Sequence, residues 1–110
     1  MRFVIVESPY AGDIERNVAY ARAALADCLR RGEAPFASHL LYTQPGVLRD
    51  EVPAEREAGI AAGLEIAKRA DATVVYLDLG WSAGMERGAE AARVAGRQID
   101  FRRLGVEWAP

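Results

Sequence analysis

Residues 72–77 read ATVVYL and residues 2–7 read RFVIVE. Both runs are β-branched and aromatic, and neither alternates apolar with polar. A strand wetted on one face alternates; a strand covered on both faces does not. These two runs constrain the chain more than any other feature, because they demand a parallel sheet with helices on both sides. The intervening segments supply such helices. Over residues 14–31, Ile14, Val18, Ala21, Leu25 and Leu29 recur at helical spacing, with Asp13 to cap the helix and Gly32 to end it. Pro53 suits the first turn of a second helix running to about residue 69, with Ile60, Leu64 and Ala67 inward. Ser82 can cap a third helix through Val94, which Gly96 ends. PFAS at 35–38 reads as a weak second strand. QIDFRRL at 98–104 alternates in part and suits a last strand at the sheet edge. Residues 39–53 read as a long loop turning at Pro45 and Gly46, and the tail, GVEWAP, as irregular.

Alternating strands and helices imply right-handed parallel crossovers. The fold class expected is α/β, a three-layer Rossmann- or flavodoxin-like domain with a four- to five-stranded parallel sheet in the order 2-1-3-4. The 110 residues suit one domain spanning 1–110, and 51% hydrophobic residues are enough for a core. So small a domain has limited burial, and a homo-oligomer is expected. The net charge of −2 argues against duplex nucleic acid or a membrane surface as partner. The basic pairs Arg30 with Arg31 and Arg102 with Arg103 read as solvated surface. Cys28, the single cysteine, falls on the apolar side of the first helix and reads as core packing. The start of the chain lacks a secretory pattern, and no stretch approaches the ~20 apolar residues of a membrane span. The expected location is cytoplasmic.

In the order 2-1-3-4 the chain reverses direction between strands 1 and 3. Open α/β sheets place ligands in the crevice outside the C-terminal ends of such strands. Two segments land there: SPYAGD after the first strand and DLGWSAGM after the third. The first brings Ser8, Pro9, Tyr10 and Gly12 to the opening of a helix, a setting that favours an anion. Tyr10 can stack on a base or bond a sugar, and Asn17 lies in the first turns of that helix. His39, the lone histidine, ends the second strand and suits a ligand contact or acid–base role; alone it makes no metal site. In the second segment Asp78 ends the strand, Ser82 caps the helix, Gly84 permits close approach, and Met85 follows. Glu86 and Glu90 are one turn apart and share a face. A carboxylate beside an anomeric carbon can act as nucleophile while a second acid protonates the leaving base. Trp81 reads as a stacking platform or an oligomer contact.

ESPYAG with Asn17, then PFASHLLY, then RADATVVYLDLGWSAGM with Ala92 and Gly96, and a final Arg102 together resemble the nucleoside 2-deoxyribosyltransferase-like superfamily. The likeness is strongest to its small, uncharacterised phage and bacterial branch and runs from Val4 to Arg103. It implies a Rossmann-like sheet, oligomeric assembly, and cleavage or exchange of an N-glycosidic bond by a glutamate without metal or other cofactor. The superfamily's helix pattern is S-x-G-x-x-x-E-x-G-x-A. Laid on this chain without gaps, Ser82, Gly84 and Ala92 match and the glutamate position falls on Gly88. A second acid position falls on Gly63. An alternative alignment takes Gly84, Met85 and Glu86 as Gly-x-Glu and makes Glu86 the nucleophile. It needs two extra residues within the helix, a rotation of roughly 200°.

The expectation is a binding protein for a nucleoside or nucleotide, sensing or sequestering a nucleotide-derived metabolite. The ligand residues would be Ser8, Pro9, Tyr10, Gly12, Asn17, His39, Trp81, Ser82, Gly84 and Met85, with no metal. One alternative is an active N-glycosidase or deoxyribosyltransferase using Glu86 and Asp78. Another is a protein-interaction domain that uses residues 39–53 and Trp81 and keeps a vestigial crevice.

Overall fold

The computed structural model describes residues 1–105, 108 and 109. Its four strands are β1 (Phe3–Glu7), β2 (Ala34–Phe36), β3 (Ala72–Tyr76) and β4 (Gln98–Arg102). They form one parallel sheet in the order β2-β1-β3-β4. Four helices connect them: α1 (Ile14–Arg30), α2 (Ser38–Leu41), α3 (Pro53–Ala67) and α4 (Ala83–Val94). The expected architecture and strand order are therefore observed, with four strands.

The local signals act where the sequence places them. The Asp13 side chain accepts the Arg16 N–H at 3.3 Å, and Ser82 Oγ accepts the Met85 N–H at 3.2 Å. Each satisfies a donor that the first helical turn leaves without a partner. Gly32 and Gly96 follow α1 and α4 with φ of 77° and 70°, where a Cβ would be strained. β3 is buried along its whole length, as its unbroken apolar run requires.

Two expectations are corrected. The second strand lies at Ala34–Phe36, not at 35–38, and the one-turn helix α2 takes Ser38 from that strand and residues 39–41 from the segment read as loop. Glu33, just before β2, is anchored by Arg2 and Arg102, which draws the pairing toward the N-terminus. The last strand stops at Arg102. Part of the tail expectation, residues 106, 107 and 110, lies outside the described residues. Trp108 and Ala109 are irregular, as expected, and the Trp108 ring meets Tyr20 edge-on, with centroids 4.9 Å apart.

Side chains alternate across each strand, and this period divides the core. Val4 and Val6 of β1 and Ala72, Val74 and Tyr76 of β3 face α1, where they pack with Tyr20, Ala24 and Cys28. Cys28 is fully buried, as its helical position predicts. Ile5, Glu7 and Thr73 lie on the opposite face, toward α3 and α4. That side is not filled. Of α3 only Gly63 and Ala67 are buried, and a space remains between helix and sheet. Among the described residues no helix is long and apolar enough to cross a membrane.

Candidate functional site

The space beneath α3 and α4 is a cavity of about 250 Å³ that opens at the C-terminal ends of β1 and β3. It lies at the switch point expected from topology. Its size is just under the ~300–1,000 Å³ of typical small-molecule pockets. Ile5, Ile60, Leu64 and Ala67 give it apolar walls. The polar groups are Glu7, Ser8 and Tyr10 at the end of β1, Ser38 and His39 in α2, Asp50 and Arg56 at the start of α3, Thr73 in β3, Ser82 and Arg87 at α4, and Arg97 before β4.

Ser8 and His39 form its best-defined polar contact. Ser8 is buried, and its Oγ lies 2.7 Å from His39 Nε2. Burial lowers the His39 pKa from 6.5 to about 4, so the imidazole is neutral at physiological pH. A neutral ring offers one donor and one acceptor, and one nitrogen is committed to Ser8. Proton shuttling or ligand hydrogen bonding is open to this pair; permanent positive charge is not.

Glu7 dominates the electrostatics. The residue ends β1 on the cavity face, and burial raises its pKa from 4.5 to about 8, against an opposing pull from Arg97. No hydrogen bond or ion pair to its carboxyl exists among the described residues. Its carboxyl lies directly over Gly88 of α4: a Cβ built on Gly88 would fall inside it. A similar exchange occurs at Gly63, where a Cβ would meet Ser38 Oγ at 2.6 Å. The two glycines are the room that Glu7 and Ser38 occupy.

Other residues named from sequence distribute unevenly. Ser8, Tyr10, His39, Ser82 and Gly84 line the cavity. Asn17 does not; its buried amide donates to the carbonyls of Tyr10 and Ala11 at 2.8 and 3.0 Å and so shapes the loop. Gly12 has φ of 102°, which allows that loop to turn, and is exposed. Pro9 and Met85 are buried outside the cavity lining. Trp81 lies outside as well, half-exposed, with its ring edge-on to Phe101 at 6.1 Å.

Neither carboxylate named for catalysis reaches the cavity. Gly84 and Gly88, one turn apart, face it, and Glu86 is about 200° round the helix from Gly84. Glu86 is accordingly exposed, on the shallow surface beside Trp81 and Phe101. Asp78 is saturated by its neighbours. Its carboxylate accepts from Tyr20 Oη at 2.6 Å and from the N–H groups of Leu104 and Gly105 at 2.8 and 3.1 Å. Burial alone would raise its pKa, but these donors hold it below the usual carboxylate value. Asp78 pins the chain after β4 to the end of β3. Among the described residues no three His, Cys, Asp or Glu side chains gather as a metal site would require.

Sequence reading missed Glu7 and Arg97. Glu7 was read only as the end of a strand, and Arg97 was assigned no role. The available signal was a charged residue closing a run otherwise apolar on both faces, since an ionisable group in a doubly covered strand needs a reason to be there.

The pattern of one family matches residues 2–102, that of a domain of unknown function, DUF7768. The chain belongs to this family. No curated protein matches it. Among solved structures it is similar to a 2-deoxyribosyltransferase from the psychrotolerant bacterium Bacillus psychrosaccharolyticus, with a TM-score of 0.65 and 19% identity. The match covers 98% of this chain and 77% of the other. At that identity the likeness establishes the Rossmann-like fold, and the DUF7768 chain shares its architecture over nearly its full length.

Proposed function

We propose that this DUF7768 domain binds a nucleoside or nucleotide in the cavity beneath α3 and α4. The observation that carries the reading is a cavity with apolar walls and a few convergent polar groups, Glu7, Ser8 and His39, at the switch point of a parallel sheet. The solved 2-deoxyribosyltransferase of the same fold adds support for a nucleoside as the kind of ligand. On this reading the chain acts as a single domain, 1–110, in a cytoplasmic homo-oligomer, and senses or sequesters a nucleotide-derived metabolite. The ligand-facing residues are Ser8, Tyr10, His39, Ser82 and Gly84, joined by Glu7. The test is calorimetric titration with a panel of ribo- and deoxyribonucleosides and their monophosphates. Saturable binding that His39→Ala weakens supports the proposal; no binding by any member of the panel rejects it.

A second reading is cleavage of an N-glycosidic bond. It is favoured by the Glu7 carboxyl, which fills the volume over Gly88, the position onto which the ungapped superfamily pattern lays its glutamate. Release of free base detected by mass spectrometry, and abolished by Glu7→Gln, would support it over simple binding.

A further inference from the structure

Glu7 and Arg97 both line the cavity and sense one another electrostatically, yet no ion pair joins them among the described residues. The other charged groups around the cavity are engaged elsewhere. Arg87 pairs with Glu57 at 2.9 Å and Arg56 with Asp50 at 4.0 Å. His39 is held neutral beside Ser8. Arg97 is fixed through its Nε to Thr73 Oγ1 at 3.2 Å, leaving its terminal nitrogens without a partner among the described residues. A carboxyl and a guanidinium thus line one cavity without bonding each other, and both are left to meet a polar group that enters it.

We infer that Glu7 and Arg97 are the ligand-reading pair of this cavity, both bonding the same ring of a bound nucleoside. This rests on the nucleoside reading above and names the part of the ligand recognised: a neutral base edge that offers an acceptor beside a donor. A protonated carboxyl presents one donor and one acceptor side by side and matches such an edge, whereas a carboxylate presents acceptors only. Arg97 supplies donors to a further acceptor on the same ring. An unpaired carboxyl in this position stays protonated at neutral pH because burial opposes its charge. Binding is therefore linked to the Glu7 proton. Affinity is constant at low pH and falls once Glu7 ionises, by about tenfold from pH 7 to one unit above its pKa.

The experiment is calorimetric titration of the intact chain with adenosine and cytidine between pH 6 and 9.5, for the wild type and Glu7→Gln. It is paired with a carbon-13 NMR titration of the Glu7 carboxyl in the wild type without ligand. Glutamine keeps one donor and one acceptor but cannot ionise, so the variant should lose the alkaline decline. The carboxyl should titrate near 8 and shift upward with nucleoside. If nucleosides bind but the two proteins share one pH profile, or if Glu7 titrates near 4, this inference is overturned while the nucleoside reading stands. If Glu7 titrates high and no nucleoside binds at any pH, the nucleoside reading fails and takes the recognition role with it.

Discussion

The two faces of the sheet treat buried charge in opposite ways. On the α1 face Arg102, read from the sequence as solvated surface, instead lies almost wholly buried and donates to both carboxylate oxygens of Glu33 at 2.8 Å. Arg2 joins from the side, bonding Glu33 and Asp100 at 2.8 Å each. Tyr76 Oη donates to Asp27 at 2.7 Å and accepts from Arg102 at 3.2 Å. Every charge there has a partner, and the space around it is filled by Tyr20, Ala24 and Cys28. On the α3 and α4 face, Glu7 and Arg97 line an open cavity, and no ion pair joins them among the described residues. One face uses charge to fix the fold; the other holds it in reserve for something that enters. Paired and unpaired ionisable groups in one small domain thus separate structure from function more clearly than residue type does.

The largest effect should come from breaking the paired side. Arg102→Ala strands Glu33 without its main partner, and unfolding by denaturant should show a loss of about 3–5 kcal/mol. Nucleoside affinity of the folded fraction should be unchanged. If affinity falls with stability, the two faces are not independent.

Next in size is Gly88→Ala. Its Cβ would fall inside the Glu7 carboxyl, the far end of a flexible side chain that must swing aside, so the cost should be about 1 kcal/mol, the low end for overpacking. Adding Glu7→Ala should remove the clash, so the double variant should be more stable than Gly88→Ala alone. Simple additivity in that cycle would show that Glu7 does not lie over Gly88 in solution.

The pH responses of the two faces should have opposite sign. Arg102 first, then Arg2, hold the Glu33 pKa down to about 2, against burial. Its contribution is complete above the unfolded value of 4.5 and is lost as pH falls toward 2. Glu7 is raised from 4.5 to about 8. Its contribution is complete below 4.5 and is lost as pH rises through 8. Glu33→Gln should therefore flatten the acid limb of the stability profile. Glu7→Gln should stabilise the chain at pH 9 and leave pH 4 nearly unchanged. Thermal melts across pH 3–9.5 would decide; an unchanged alkaline limb in Glu7→Gln would mean that the carboxyl finds solvent.

The smallest effect should be that of Glu86→Gln. The residue is exposed and outside the cavity, so stability should stay within about 0.5 kcal/mol and nucleoside affinity should not change. Loss of binding or of any base release would return Glu86 to the site and require α4 to rotate.

The sequence by itself determined the strand–helix alternation, the sheet order, the caps at Asp13 and Ser82, and the position of the crevice. These follow from local periodicity and chain connectivity, which one sequence displays in full. It also brought Ser8, Tyr10, His39, Ser82 and Gly84 to the cavity, because strand ends and helix starts are positions that topology fixes. The tertiary structure decided which carboxylate faces inward. Glu86 and Glu7 are both plausible as acids in a linear reading, but α4 turns Glu86 away by its angular offset from Gly84, while the two-residue period of β1 points Glu7 at Gly88. A missing side chain on one element and a present one on another combine only when the two are packed together. That is why Gly63 and Gly88 read as losses along the chain and are, in the folded protein, the space in which Ser38 and Glu7 sit.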